Sequence, residues 1–224
     1  FVNVAGTIYF TADDGIHGRE LWKSDGSEQG TVMVKDIEPG LHYSGVSNLT
    51  DVNGVLYFST GDGLWKTDGT EKGTALIKQT NLPYPAFFTN VNGTLYFANK
   101  ESYGSASGDH GIELWKSDGT AAGTVLVKDI NPSTTGNEDS KPSYLTNANG
   151  ILYFSADDGV HGEELWRSDG TASGTIMLPE IKAFGNFGSS PKDLIYINGT
   201  FFFTADDGPH GRELWKHVVV EPTK

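Results

Sequence analysis

The sequence predicts an all-β protein, a five-bladed β-propeller of four-stranded repeats about 48 residues long, with an irregular or incomplete last blade. Three observations lead there. The segment Gly-x-x-[Tyr/Phe]-Phe returns five times, starting at Gly6, Gly54, Gly93, Gly150 and Gly199. Four of those glycines follow an asparagine (Asn53, Asn92, Asn149 and Asn198), and Asn-Gly between β-rich runs is a strong hairpin signal, because both residues tolerate positive φ. The 224 residues include 29 glycines, well above the usual share of roughly 7%. Thr, Val, Tyr and Phe recur in short runs, the balance of a β protein with many turns.

Each unit reads as four strands. The first carries "LTDVN" from Leu49, "FTNVN" from Phe88, "LTNAN" from Leu145 and "LIYIN" from Leu194, and "FVNVAG" at the start of the chain takes the same place. The Gly-x-x-[Tyr/Phe]-Phe run is the second strand, and "ELWK" or a relative is the third. A turn, "SDGTxxGT", leads to the fourth; in it Asp25, Asp68, Asp118 and Asp169 can fold their carboxylates onto nearby backbone amides. The variable segments then cross to the next unit. Residues 1–224 thus form one propeller domain of units 1–48, 49–87, 88–144, 145–193 and 194–224. The last unit lacks the "SDGTxxGT" turn and continues as "HVVVEPTK", so its third strand extends and the blade has three strands or borrows one at the seam. An open β-solenoid is the competing architecture, although its rungs are usually shorter.

The net charge of −13, from 16 basic and 29 acidic residues, argues against a nucleic-acid partner, which needs a positive field. With no cysteine, disulfides, thiolate chemistry and Cys-based zinc sites are excluded. No apolar run is long enough to span a bilayer. The first ten residues lack the basic start and apolar stretch of a secretory signal, so a leader was removed or the chain belongs to something longer.

"ELWKSDGTAAGTVLVKDINP", from Glu113 to Pro132, resembles the ELWxxDGT repeat family of bacterial, largely extracellular proteins. The resemblance runs along almost the whole chain. Three units carry the motif in full, the second lacks its glutamate and the fifth lacks Asp-Gly-Thr. It implies a secreted or surface location, often within large adhesin-like chains, and implies neither an enzymatic activity nor a ligand. The blade count and repeat length also resemble five-bladed lectins of the tachylectin type, a likeness of architecture that does not fix function.

The chemistry-bearing residues recur with the repeat. Trp22, Trp65, Trp115, Trp166 and Trp215 hold one position; they either fill the gaps between blades, each indole N–H finding a backbone partner, or offer stacking platforms for sugar rings. Glu20, Glu113, Glu164 and Glu213 are equivalent to one another, whereas a glycosidase needs two carboxylates in different environments. Their repetition points to a structural hydrogen bond or a surface ion pair. His17, His110, His161 and His210 each precede a glycine, with Asp13 and Asp14, Asp109, Asp157 and Asp158, or Asp206 and Asp207 just upstream. That spacing either locks a tight loop or ligates a divalent cation. No other cofactor is expected, and phosphate-loop, zinc-protease, nucleophile-elbow and EF-hand motifs are absent. Tyr43, Tyr84, Tyr103, Phe184 and Phe187 lie on the variable segments, where they cover blade ends or line ligand pockets. The expectation is a non-catalytic, extracellular or cell-surface binding module for a glycan or a surface protein. The alternatives are a structural or interaction module of a larger surface assembly and a five-bladed glycosidase.

Overall fold

The computed structural model describes residues 1–80, 85–100, 110–132, 139–181 and 188–218. It shows the all-β propeller arrangement: five antiparallel sheets in chain order, with no helix among the described residues. The first blade comprises β1 (Val2–Val4), β2 (Thr7–Asp13), β3 (Arg19–Ser24) and β4 (Val32–Lys35). The second comprises β5 (Ser47–Val52), β6 (Val55–Thr60), β7 (Gly63–Thr67) and β8 (Ala75–Gln79). The third comprises β9 (Ala86–Val91), β10 (Thr94–Lys100), β11 (Ile112–Ser117) and β12 (Val125–Lys128). The fourth comprises β13 (Ser143–Ala148), β14 (Ile151–Asp157), β15 (Glu163–Ser168) and β16 (Ile176–Met177). The fifth has three described strands, β17 (Lys192–Ile197), β18 (Thr200–Asp206) and β19 (Arg212–Val218), and β19 is the extended third strand that the missing turn predicts. The first strands adjoin in the series β1, β5, β9, β13, β17, each hydrogen-bonded to one sheet partner, so they form the inner edge of the arrangement.

Local chemistry explains the strands' ends. The Asn-Gly pairs sit at positive φ as the hairpins require, for example Asn53 at 53° and Gly54 at 85°. In the Asp-Gly turns the carboxylate folds inward: Asp118 Oδ1 accepts from the Thr120 amide at 2.8 Å and from its hydroxyl at 2.8 Å. Asp25, Asp68 and Asp169 repeat this with Ser27, Thr70 and Thr171. A hydroxyl pair across each turn, such as Ser117 with Thr124 at 2.8 Å, ties the third strand to the start of the fourth.

Among the described residues the core consists of four junctions between consecutive blades, and each is built alike. One blade contributes the face it turns to its successor, as with Val4, Tyr9, Leu21 and Val34 of the first. The successor contributes a different face, here Leu56, Phe58 and Trp65. Leu64 with Leu95, Leu114 with Leu152, and Leu165 with Phe201 repeat the arrangement at the next three junctions. Polar bonds recur at its margin. Lys23, Lys66 and Lys116 donate to the carbonyls of Gly69, Gly119 and Gly170 in the next blade's turn, at 2.7, 2.7 and 2.9 Å. Lys35, Lys78 and Lys128 donate to the carbonyls of Thr74, Thr124 and Thr175. The turn glycines are needed here: a Cβ on Gly119 would stand 2.3 Å from the Tyr57 hydroxyl.

The inner strands begin two residues earlier than the sequence patterning places them, at Ser47, Ala86, Ser143 and Lys192. The reason is a β-bulge in each, which breaks the alternation that patterning relies on. Its extra residue is Asn48, Phe87, Tyr144 or Asp193, at φ of 54°, 57°, 54° and 56°.

Candidate functional site

The His-Asp loops of the first, fourth and fifth blades are alike, and their carboxylates turn inward. Asp13, Asp157 and Asp206 each accept from the amide of the glycine two residues on, at 2.7, 2.7 and 2.6 Å. Asp14, Asp158 and Asp207 accept the amides of His17, His161 and His210, and their second oxygens meet the same rings' Nδ1 at 2.7, 2.7 and 2.8 Å. Bonds from the His17 amide and ring hold the Asp14 carboxyl down at about 2, and Asp14 in turn raises the His17 imidazole. His110 pairs differently, its Nδ1 lying 2.7 Å from Asp129 Oδ2; Asp109 lies outside the described residues. Among the described residues no three His, Asp or Glu side chains gather into a metal-binding group.

The ELW glutamates depart from the equivalence the sequence suggests. Glu20, Glu113 and Glu164 are buried, whereas Glu213 is exposed. Glu113 accepts from the Ile130 amide at 2.9 Å, the Ser140 amide at 3.1 Å and the Ser140 hydroxyl at 2.6 Å. Glu164 holds the amide and hydroxyl of Ser189, at 3.0 and 2.6 Å. Glu20 Oε2 accepts the Ile37 amide at 3.1 Å, while the Ser44 hydroxyl donates to Arg19 O at 2.9 Å and Glu20 Oε1 is buried without a partner among the described residues. Each glutamate therefore pins the segment that crosses to the next blade. Burial raises all three carboxyls, Glu113 to about 8, because these bonds offset only part of the lost hydration.

The tryptophans lie on the face turned to the preceding blade. Trp115 and Trp166 are buried in the junctions, while Trp22, Trp65 and Trp215 are half-buried. The Trp166 and Trp215 indoles donate to the carbonyls of Ala156 and Ala205 at 3.1 and 3.2 Å. Lys78 and Lys128 Nζ lie 4.6 and 5.6 Å from the ring centres of Trp115 and Trp166, in cation–π geometry. The Trp22 and Trp65 indole N–H groups are buried without a partner among the described residues. Of the loop aromatics, Tyr43 is exposed; Tyr84, Tyr103, Phe184 and Phe187 lie outside the described residues.

A feature absent from the sequence reading is the rim of bulges on the inner strands. Asn48, Phe87, Tyr144 and Asp193 occupy one position on four strands that adjoin in series. Left-handed φ costs a side-chain-bearing residue about 1–2 kcal/mol, less for Asn and Asp. Two of the four are nevertheless bulky aromatics, and both are exposed, Phe87 at 48% and Tyr144 at 39%. Their neighbours Phe88 and Leu145 pack into the junctions. The Thr89 hydroxyl donates to Leu145 O at 2.9 Å and that of Thr146 to Leu194 O at 3.2 Å, so consecutive bulges are held in a fixed relation. The Asn48 amide donates to Pro85 O at 3.0 Å, at the root of the strand that carries Phe87. The rim thus sets two adjacent aromatics between two short polar side chains.

Comparison with known proteins finds no matching family model and no matching curated protein. Among solved structures, the fold is similar to the computationally designed Ika8 protein (TM-score 0.48, 15% identity, 96% of this chain and 56% of that one). It is also similar to a puromycin hydrolase S511A mutant complexed with PGG (TM-score 0.51, 15% identity, 89% of this chain and 31% of that one). An endo-1,4-beta-xylanase from Bacteroides thetaiotaomicron matches with a TM-score of 0.35 and 13% identity, over 96% of this chain and 87% of its own. The chain spans about half the length of the first of these and about a third of the second. Likeness at this identity concerns the fold alone.

Proposed function

We propose that the chain is a non-catalytic, extracellular binding module that receives a neutral glycan on the rim formed by Phe87 and Tyr144. The carrying observation is the placement of exposed aromatics at strained, equivalent positions on adjoining strands. A core-packing role does not explain them, because Phe88 and Leu145 supply the packing. Aromatic faces take up the apolar faces of sugar rings, and preorganised strain is a mark of binding sites. The neighbouring Asp193 and the net charge of −13 disfavour uronic or sialylated ligands. The burial of Glu20, Glu113 and Glu164 in loop-pinning bonds supports a non-catalytic reading.

Titration calorimetry against neutral and anionic oligosaccharides is expected to give heat with neutral sugars alone, and prolonged incubation is expected to leave them uncleaved. Preferential binding of anionic sugars, or release of reducing ends, would contradict the proposal. A structural role in a larger surface assembly is favoured by a separate observation, the exposure of Ile8 on the first blade and Leu214 on the fifth.

A further inference from the structure

The four junctions each join two unlike faces, and among the described residues the first and fifth blades each leave one such face largely exposed. The face of the fifth blade that would meet a successor carries Ile195, Ile197, Phe202, Leu214 and Lys216, all on one side of the sheet by their cross-strand register. Leu214 is 73% exposed, whereas its equivalents Leu21, Leu64, Leu114 and Leu165 are 0–5% exposed. The face of the first blade that would meet a predecessor carries Ile8, Phe10 and Trp22, and the exposed Phe1 ring stacks on Phe10 at 5.7 Å. Ile8 is 36% exposed, whereas Leu56, Leu95, Leu152 and Phe201 at its position are fully buried. Gly26 tells the same story: a Cβ there meets nothing within 4 Å, while Gly69, Gly119 and Gly170 each receive a tyrosine from the blade before. Among the described residues β17 and β1 do not pack against each other as β1 and β5 or β13 and β17 do.

The two bare faces are the two halves of one junction. Leu214 stands where Leu21 and Leu64 stand, and Ile8 where Leu56 and Leu95 stand. Lys216 matches the lysines that donate to a turn carbonyl, and Gly26 matches the glycines that accept. Phe202 replaces the tyrosine, which leaves the apolar part of the contact and removes one hydroxyl. We propose that these faces bind each other between copies of this chain, head to tail, reproducing the internal blade junction. Such a contact is heterologous, so every added copy presents a fresh free face, and assembly proceeds to a closed ring or a filament. The proposal does not depend on the glycan reading.

Light scattering coupled to size-exclusion chromatography tests it. The wild-type protein is expected to exceed its 24.1 kDa monomer mass, increasingly so with concentration. Leu214→Glu blocks one face and Ile8→Glu the other, so each variant is expected to remain monomeric. Both sites are solvent-accessible, so both variants should fold, which circular dichroism verifies. An equimolar mixture of the two retains one intact pair of faces and is expected to yield a dimer and nothing larger. Wild-type protein that stays at monomer mass at every concentration, whether its arc closes on itself or its faces stay bare, would overturn the proposal. So would variants that associate as the wild type does, or a mixture that stays monomeric.

Discussion

Replacing Trp166 with alanine is expected to destabilise the fold by about 3–5 kcal/mol, the range for removing a large buried aromatic. The ring lies in the junction between the third and fourth blades, stacked 6.5 Å from Phe154 and 5.6 Å from the Lys128 ammonium. Its loss opens a cavity and leaves the Ala156 carbonyl without its indole donor. Trp22 holds the equivalent position on the uncovered face of the first blade. Trp22→Ala should therefore cost much less in dilute solution, about 1 kcal/mol. Urea titrations followed by circular dichroism compare the two, and similar losses would contradict the assignment of the faces.

The second large effect concerns Glu113 and pH. Burial lifts its carboxyl from the usual 4.5 to about 8, so the folded state favours the protonated form more than the unfolded state does. The stabilisation is full below the unfolded value and is lost as pH rises through about 8. Glu20 and Glu164 are displaced in the same direction by burial. The melting temperature is accordingly expected to fall between mildly acidic and mildly alkaline pH. Glu113→Gln, which stays neutral, should flatten that fall, whereas Glu113→Ala should cost about 2–4 kcal/mol even at low pH. The alanine strands the Ile130 amide inside the loop and takes the nearer acceptor from the Ser140 hydroxyl, which keeps Ile112 O at 3.2 Å. A wild-type melting temperature that rises from neutral to alkaline pH would refute this. On the acid side, the Thr120 bonds that depress Asp118 imply a separate loss as pH falls below the ordinary carboxylate range.

The residues that show the fold in the sequence are those whose chemistry acts within a few positions. Asn53-Gly54 and its relatives make hairpins by their own φ preferences, and Asp118 closes a turn onto Thr120, so both read directly from the chain. The bulges do not, because Asn48, Phe87, Tyr144 and Asp193 share no chemistry and sit where a period-two pattern is interrupted. The pinning of crossover segments by the ELW glutamates was partly legible. Ser44, Ser140 and Ser189 each stand three residues before an inner strand, in segments otherwise unlike one another. The unit with Gly63 in place of the glutamate has Pro83 in place of that serine. Burial was not legible: Glu213 matches its three counterparts in sequence, yet it is exposed where they are buried.

The repeated motif builds the scaffold, and in the proposed function the strained rim binds the glycan. The most direct test is the double variant Phe87→Asn, Tyr144→Asn, with glycan affinity and melting temperature measured on the same sample. Asparagine accepts left-handed φ more readily than either aromatic, and Asn48 already occupies this position in the second blade. The prediction is a melting temperature at or above that of the wild type, together with loss of glycan binding. A variant that binds as the wild type does, or one that loses binding because it is less stable, would contradict the claim.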